Sequence, residues 1–173
     1  MRNAKCEMRH GMRLPHPFRI SHSAFAMLLA ACTPVTARPD FRPFPQATTV
    51  LLVTRPQLVI PYLKTLMAAE SLGVKRASPP DGYLEGHWYD TGTRRSIHSD
   101  ADVSDLARTV KIRCWADPYV PGETMLTLEV VYRPRYDPSR LERELEMPVA
   151  PDHAGAKLGE QLVAKLKEKF GSP

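Results

Sequence analysis

Cysteine is scarce in this chain: three residues in 173, at positions 6, 32 and 114. Three thiols so far apart cannot build the multi-bridge framework of a small secreted scaffold. The sequence has no C-x-x-C pair, no H-E-x-x-H and no glycine-rich phosphate loop, which removes the familiar redox, zinc-protease and nucleotide motifs. It also lacks an apolar run of the ~20 residues a helix needs to span a bilayer; the run from Ala24 to Ala31 is far too short. A strong basic excess is missing too, once the charges are placed along the chain. The net charge is +5, from 24 Lys and Arg against 19 Asp and Glu. Arg2, Lys5, Arg9, Arg13 and Arg19 precede position 32, against Glu7 alone, so the rest of the chain is left with 19 basic and 18 acidic residues. A near-neutral remainder gives no general pull toward phosphate backbones, and no nucleic-acid partner is expected.

The first 31 residues have a basic front, a short apolar centre and small residues before position 32, the three parts of a secretory signal. Met12 offers an alternative start that would shorten this leader to an ordinary length. Leu29-Ala30-Ala31-Cys32 resembles the lipobox of bacterial lipoproteins, a Leu, two small residues and an invariant Cys. The resemblance implies that residues 1–31 are removed, that Cys32 is the lipid-attachment residue and new amino terminus, and that the protein is lipid-anchored at the periplasmic face of the cell envelope. Thr33 stands where an aspartate marks inner-membrane retention in proteobacterial lipoproteins, which by the same resemblance points to the outer membrane. The competing reading is a buried cysteine in an N-terminal helix, but so short a helix running straight into prolines makes a poor core element.

Residues 32–46 include TPVTARPDFRPFPQ, with prolines at 34, 39, 43 and 45. That density disfavours hydrogen-bonded structure and predicts an extended tether reaching on the order of 40 Å. A single folded domain is expected over 47–173. ATTVLLVT reads as its first strand, and Val59, Leu63, Leu66 and Met67 are spaced as one face of a helix. Pro61 suits a helix start there, the alternative being an earlier turn kinked at Pro61, and Gly73 marks the stop.

Val74 to Ala77 is a short strand, and Pro79-Pro80-Asp81-Gly82 a turn. YLEGHWYDT alternates as a strand, with Leu84, Gly86 and Trp88 on one face and Tyr83, Glu85, His87 and Tyr89 on the other. Residues 91–105 read as a hairpin loop, with a possible short strand near Arg94 to Ile97. Two strands alternate clearly: Val110, Ile112, Cys114 and Ala116 point inward from one, and Leu126, Leu128, Val130 and Tyr132 from the other. The PYVPGE loop between them predicts antiparallel pairing with one face buried and one open. Arg133 to Asp152 reads as a surface excursion with a short helix within Ser139 to Glu146. The stripe Leu158, Leu162, Val163, Leu166 and Phe170 predicts an amphipathic C-terminal helix packed on the sheet in preference to a membrane surface, because its polar face mixes Glu and Lys.

The expected fold is thus α+β: two layers in the order β-α-β-β-β-β-α, an antiparallel sheet of four to five strands with two helices on one face. The helix segment LVIPYLKTLMAAESLGV followed by the Gly-Tyr hairpin DGYLEGHWYD resembles the helix-grip domains of the component C lipoprotein of the outer-membrane β-barrel assembly machinery. The two-helix, four-stranded lipoprotein of lipopolysaccharide transport is a comparable match. The first resemblance implies a non-enzymatic accessory or assembly subunit with a protein partner in the envelope.

The sequence offers no catalytic residue, metal ligand set or cofactor motif. His87 and Asp90 lie three apart on a strand, point to opposite faces and have no nucleophile beside them. Cys114 alternates with Val110 and Ile112 and reads as a small buried hydrophobe. The candidate interaction face is the expected open side of the sheet: Tyr83, Tyr89, Lys111, Arg113, Trp115 and Arg133, with Glu129 and Val131 among them. Its plain alternative is a solvated face with one tryptophan shielded by a loop. Beside the accessory-subunit reading stand a carrier of a small apolar ligand held between helices and sheet, and an envelope hydrolase using His87.

Overall fold

The computed structural model describes residues 36–99, 103 and 105–171. The expected leader, Cys32 and the first part of the tether lie outside them. Described residues form eight strands and three helices: β1 Thr48–Leu52, α1 Pro56–Ala69, β2 Val74–Ser78, β3 Tyr83–Gly86, β4 Trp88–Asp90, β5 Arg95–Ile97, β6 Thr109–Pro118, β7 Thr124–Tyr132, α2 Glu142–Leu145, β8 Met147–Pro148 and α3 Ala154–Phe170. The sheet is open and every pairing in it is antiparallel, with main order β1-β7-β6-β3-β2. Four to five strands were expected. The excess comes from β4, β5 and β8, which are two or three residues long and therefore carry no readable period.

The β6–β7 hairpin is the spine of the sheet. Its register runs from Val110 opposite Tyr132 to Pro118 opposite Thr124. Val110, Ile112, Cys114, Ala116, Leu126 and Leu128 project into the core as their alternation predicts, with Val130 and Tyr132 packed at its margin. From the other side Val59, Ile60, Leu63, Leu66 and Met67 of α1 and Leu162, Val163 and Leu166 of α3 fill the layer. Gly159 lets α3 approach closely, since a Cβ there would stand 2.8 Å from Val130 Cγ2.

Helix α1 starts five residues before Pro61. Arg55 is extended and Pro56 takes the first helical position, where its missing N–H costs nothing. Pro61 inside the helix removes a single intrahelical bond near its start, which a helix with a buried face tolerates. The helix also stops before Gly73: Ser71 takes the left-handed turn at φ 61°, and Leu72 N–H donates to the Met67 carbonyl at 2.8 Å. The turn at 79–82 closes as expected. Gly82 has φ 60°, and its backbone runs so close to the Ala116 carbonyl that any Cβ would collide with it.

The faces along YLEGHWYDT do not alternate as predicted. Glu85 pairs with Arg113, but Tyr89 pairs with Val110, so the outer strand carries one extra residue about His87. This bulge flips the second half. Trp88 joins Glu85 on the face away from the helices, where Lys111 lies over its ring, while Tyr89 turns into the helix-side core and donates to the Glu70 carbonyl at 3.3 Å.

The face expected to be open is closed. Eight of the ten residues of β6, Thr109 through Ala116, are buried, so both sides of the strand are covered. One cover is the 133–148 excursion, with Leu145 and Glu146 buried and β8 paired to β7. The other is the described part of the expected tether. Residues 36–46 lie along the sheet as a strap: Ala37 N–H donates to Asp81 Oδ2 at 2.8 Å, Arg38 pairs with Asp117 at 2.7 Å, Phe41 meets Trp115 edge-on, and Phe44 N–H donates to Glu129 Oε2 at 3.0 Å. Proline density does preclude regular structure here. It does not preclude docking, because the residues between the prolines supply two aromatic rings and a guanidinium.

Candidate functional site

The alternating polar residues of β3, β6 and β7 point into the space beneath the strap and the excursion. They meet four groups of opposite sign there, and the result is a buried ionic network. Arg113 is its centre, forking onto Glu146 with Nη1 at 2.7 Å from Oε2 and Nη2 at 2.5 Å from Oε1, and reaching Glu129 Oε1 at 3.1 Å. Arg143, from α2, reaches the same two carboxylates: Glu129 at 2.7 Å and Glu146 at 3.3 Å. Its second nitrogen donates to the Arg42 carbonyl of the strap at 2.8 Å.

A second lobe centres on Trp88. Its indole N–H donates to Glu142 Oε1 at 2.6 Å, Lys111 Nζ bonds the same oxygen at 2.7 Å, and Lys111 and Arg133 each lie 4.4 Å from the Trp88 ring centroid. Glu85 joins the lobes, 3.4 Å from Lys111 Nζ and 3.6 Å from Arg113 Nε. The cations Lys111, Arg113, Arg133 and Arg143 are matched in number by Glu85, Glu129, Glu142 and Glu146, and the half-exposed Lys75 stands at the rim, 3.8 Å from Glu85.

Burial and pairing oppose each other at these groups. Burial pulls the Lys111 ammonium below the usual lysine range despite Glu142 beside it. Burial opposes the Arg113 charge as well, but the Glu146 hydrogen bonds outweigh it and hold the guanidinium more firmly protonated than usual. Burial pushes the Glu142 carboxyl up, and Lys111 and the Trp88 indole more than reverse this, leaving it below the ordinary value. Tyr83, fully buried against Trp115, has its hydroxyl pushed up by burial first and Glu85 second.

Of the expected interaction face, Tyr83, Lys111, Arg113, Trp115 and Arg133 do come together, yet all are at most 5% exposed and present no outer surface. Tyr89 is on the opposite face. Sequence reasoning missed Glu142, Arg143 and Glu146 and the strap rings Phe41 and Phe44. Some signal was present: Glu142 and Glu146 stand one helical turn apart, and Phe41 and Phe44 are the aromatic side chains of a stretch otherwise read as spacer.

The groups with chemical potential lie elsewhere. The Asp90 carboxylate accepts from Gly92 N–H at 2.8 Å and Thr93 N–H at 3.2 Å, closing its own turn, and does not serve His87. His87 instead packs edge-on against His98, centroids 4.3 Å apart, in a cleft of about 200 Å³ with Lys75, Lys111 and Glu142. Burial, then the neighbouring His98, lowers its pKa and favours the neutral ring. Cys114 is fully buried and burial pushes its thiol up, away from the reactive thiolate. Among the described residues no three His, Cys, Asp or Glu side chains converge as metal ligands would, and no helix is long and apolar enough to cross a membrane.

No protein-family model and no curated protein matches the chain.

Proposed function

We propose that this chain is a lipid-anchored protein of the bacterial cell envelope, held at the periplasmic face by Cys32, whose domain acts as a non-enzymatic accessory or assembly subunit of an envelope complex. The observation that carries the reading is the Leu29-Ala30-Ala31-Cys32 junction at the end of a basic-then-apolar leader. Two features of the domain support the non-enzymatic part. The buried charged side chains of the sheet are paired with one another beneath the strap, and the Asp90 carboxylate is held by its own turn and does not serve His87. The architecture, two long helices against an antiparallel sheet, we read as helix-grip-like, in keeping with the resemblance to component C of the β-barrel assembly machinery. The carrier reading has the packing at the centre of the layer against it, where Leu52, Leu63, Met67, Ile112, Leu126 and Leu162 are buried together; the cleft of about 250 Å³ between α3 and β7 lies at its margin, beside Glu129, Val130 and Gly159.

Intact-mass spectrometry of the membrane fraction, with Cys32→Ser as control, tests the anchor. The expected mature chain begins at residue 32 and carries added acyl mass; a soluble unprocessed chain overturns the reading. Affinity capture from gently solubilised membranes tests the role, with a stoichiometric protein partner expected and recovery of the lipoprotein alone counting against it.

A further inference from the structure

Large exposed apolar side chains among the described residues gather at two places, and one of them coincides with the point where the strap begins. β6 ends at Pro118, β7 begins at Thr124 and β1 ends opposite it at Leu52, so the hairpin tip and the exit of β1 share one end of the sheet. Thr124 Oγ1 donates to the Thr54 carbonyl at 2.7 Å and Val53 N–H to the Phe170 carbonyl at 2.7 Å, which draws the start of α1 and the finish of α3 to the same end. Here Val53, Leu58, Tyr119 and Val120 are 51, 57, 59 and 46% exposed. Arg55, Lys167 and Lys169 are exposed beside them, with Glu123 and Glu168 as the acidic neighbours and Asp117 held by Arg38. Ala37 and Arg38 of the strap bind Asp81 and Asp117 at this end as well.

We infer that this end of the domain lies on the lipid surface, with the Tyr119-Val120 tip, Val53 and Leu58 at headgroup depth and the lysines toward anionic lipid. The inference rests on the lipid anchor at Cys32. Five residue steps separate Cys32 from Ala37, a reach of at most about 18 Å, whereas the ten-residue β6 is itself about 33 Å long. The anchored end therefore stays within a short distance of the bilayer, and the domain is not free on a 40 Å leash. Four apolar side chains and a nearly balanced set of charges bind a bilayer too weakly to localise a free protein. Held by the anchor at millimolar effective concentration, the same contacts are populated. A tyrosine whose ring is apolar and whose hydroxyl is polar suits the headgroup boundary.

The test uses the full mature protein with its native acyl group, in vesicles of phosphatidylethanolamine and phosphatidylglycerol with brominated acyl chains. An environment-sensitive fluorophore is placed on Val120→Cys, and in a second sample on Met147→Cys, which is 49% exposed at the opposite end of the sheet, across from Tyr132. Cys114 is buried, and unsubstituted protein gives the labelling background. Intact mass is measured on the same samples. With acyl mass present, quenching at least threefold greater at position 120 than at 147 is expected. Acylated protein with equal or absent quenching at both positions overturns the docking and leaves the anchor standing, and points to a protein or a second copy on this surface. Absence of acyl mass overturns the anchor and, with it, the docking that depends on it.

Discussion

Removing the guanidinium of Arg113 takes away the forked partner of Glu146 and leaves two buried carboxylates, Glu129 and Glu146, to share the single charge of Arg143. An uncompensated buried charge is the expensive case, whereas replacing a whole pair by apolar groups is often near neutral. Arg113→Met is therefore expected to lose about 3–5 kcal/mol in urea unfolding, and Arg113→Met with Glu146→Met to recover at least 1 kcal/mol of that, roughly, as contacting pairs do in a double-mutant cycle. Glu142 ties stability to acid. Its folded-state carboxyl lies below the ordinary value, so the unfolded chain takes up the proton first, and the stability it contributes is present above about pH 4.5 and lost as pH falls through the folded value. Thermal melts between pH 7 and 3 should show this slope, and Glu142→Gln should flatten it. The same variant should cost about 1–2 kcal/mol at pH 7, toward the low end for an ion pair because Glu142 is about a third exposed.

At the scale of elements, the strap and the third helix make opposite demands on local preference. The strap has no regular hydrogen bonds, yet the amides of Ala37 and Phe44 donate to carboxylates of the domain. Both should exchange with deuterium far more slowly than the exposed Asp40, and Glu129→Gln, which keeps an acceptor but removes the charge, should speed Phe44 selectively. In α3, replacing Gly159 by alanine gains about 1 kcal/mol of helix propensity, but the new methyl meets Val130 at 2.8 Å. The packed layer has to yield, and a net loss of about 1–2 kcal/mol in thermal or urea melts is expected. These two elements also mark the limits of the sequence. The stripe Leu162, Val163 and Leu166 was legible because burial of a helix face imposes a period of 3.6, and the inner set of β6 because a strand imposes a period of two. The strap was not, since its contacts with Asp81, Trp115, Asp117 and Glu129 reach 44 to 85 positions along the chain, and nothing periodic records a long-range contact.

For the molecule as a whole, the misjudged face has a similar origin. Lys111, Arg113 and Arg133 alternate with apolar residues, the signature of a strand wet on one side, and that pattern cannot tell water from a neutralising set of glutamates. Glu129 opposite Arg113 was a further clue, a cross-strand ion pair on the concealed side. The bulge about His87 was equally invisible, because an inserted residue leaves the local sequence alternating while it exchanges the two faces. The strap and first strand also bear on the order in which the chain can become structured. β1 adds to β7 at Thr48 opposite Leu128, Phe44 closes on Glu129, and Val53 bonds to Phe170 of α3. During synthesis β1 and Phe44 thus wait for partners 80 and 85 positions later, and Val53 for one 117 positions later. Loop closure over such separations is slow compared with hairpin formation. The β6–β7 hairpin can close on itself at once, whereas β1 and the strap find their place only when β7 is there to receive them.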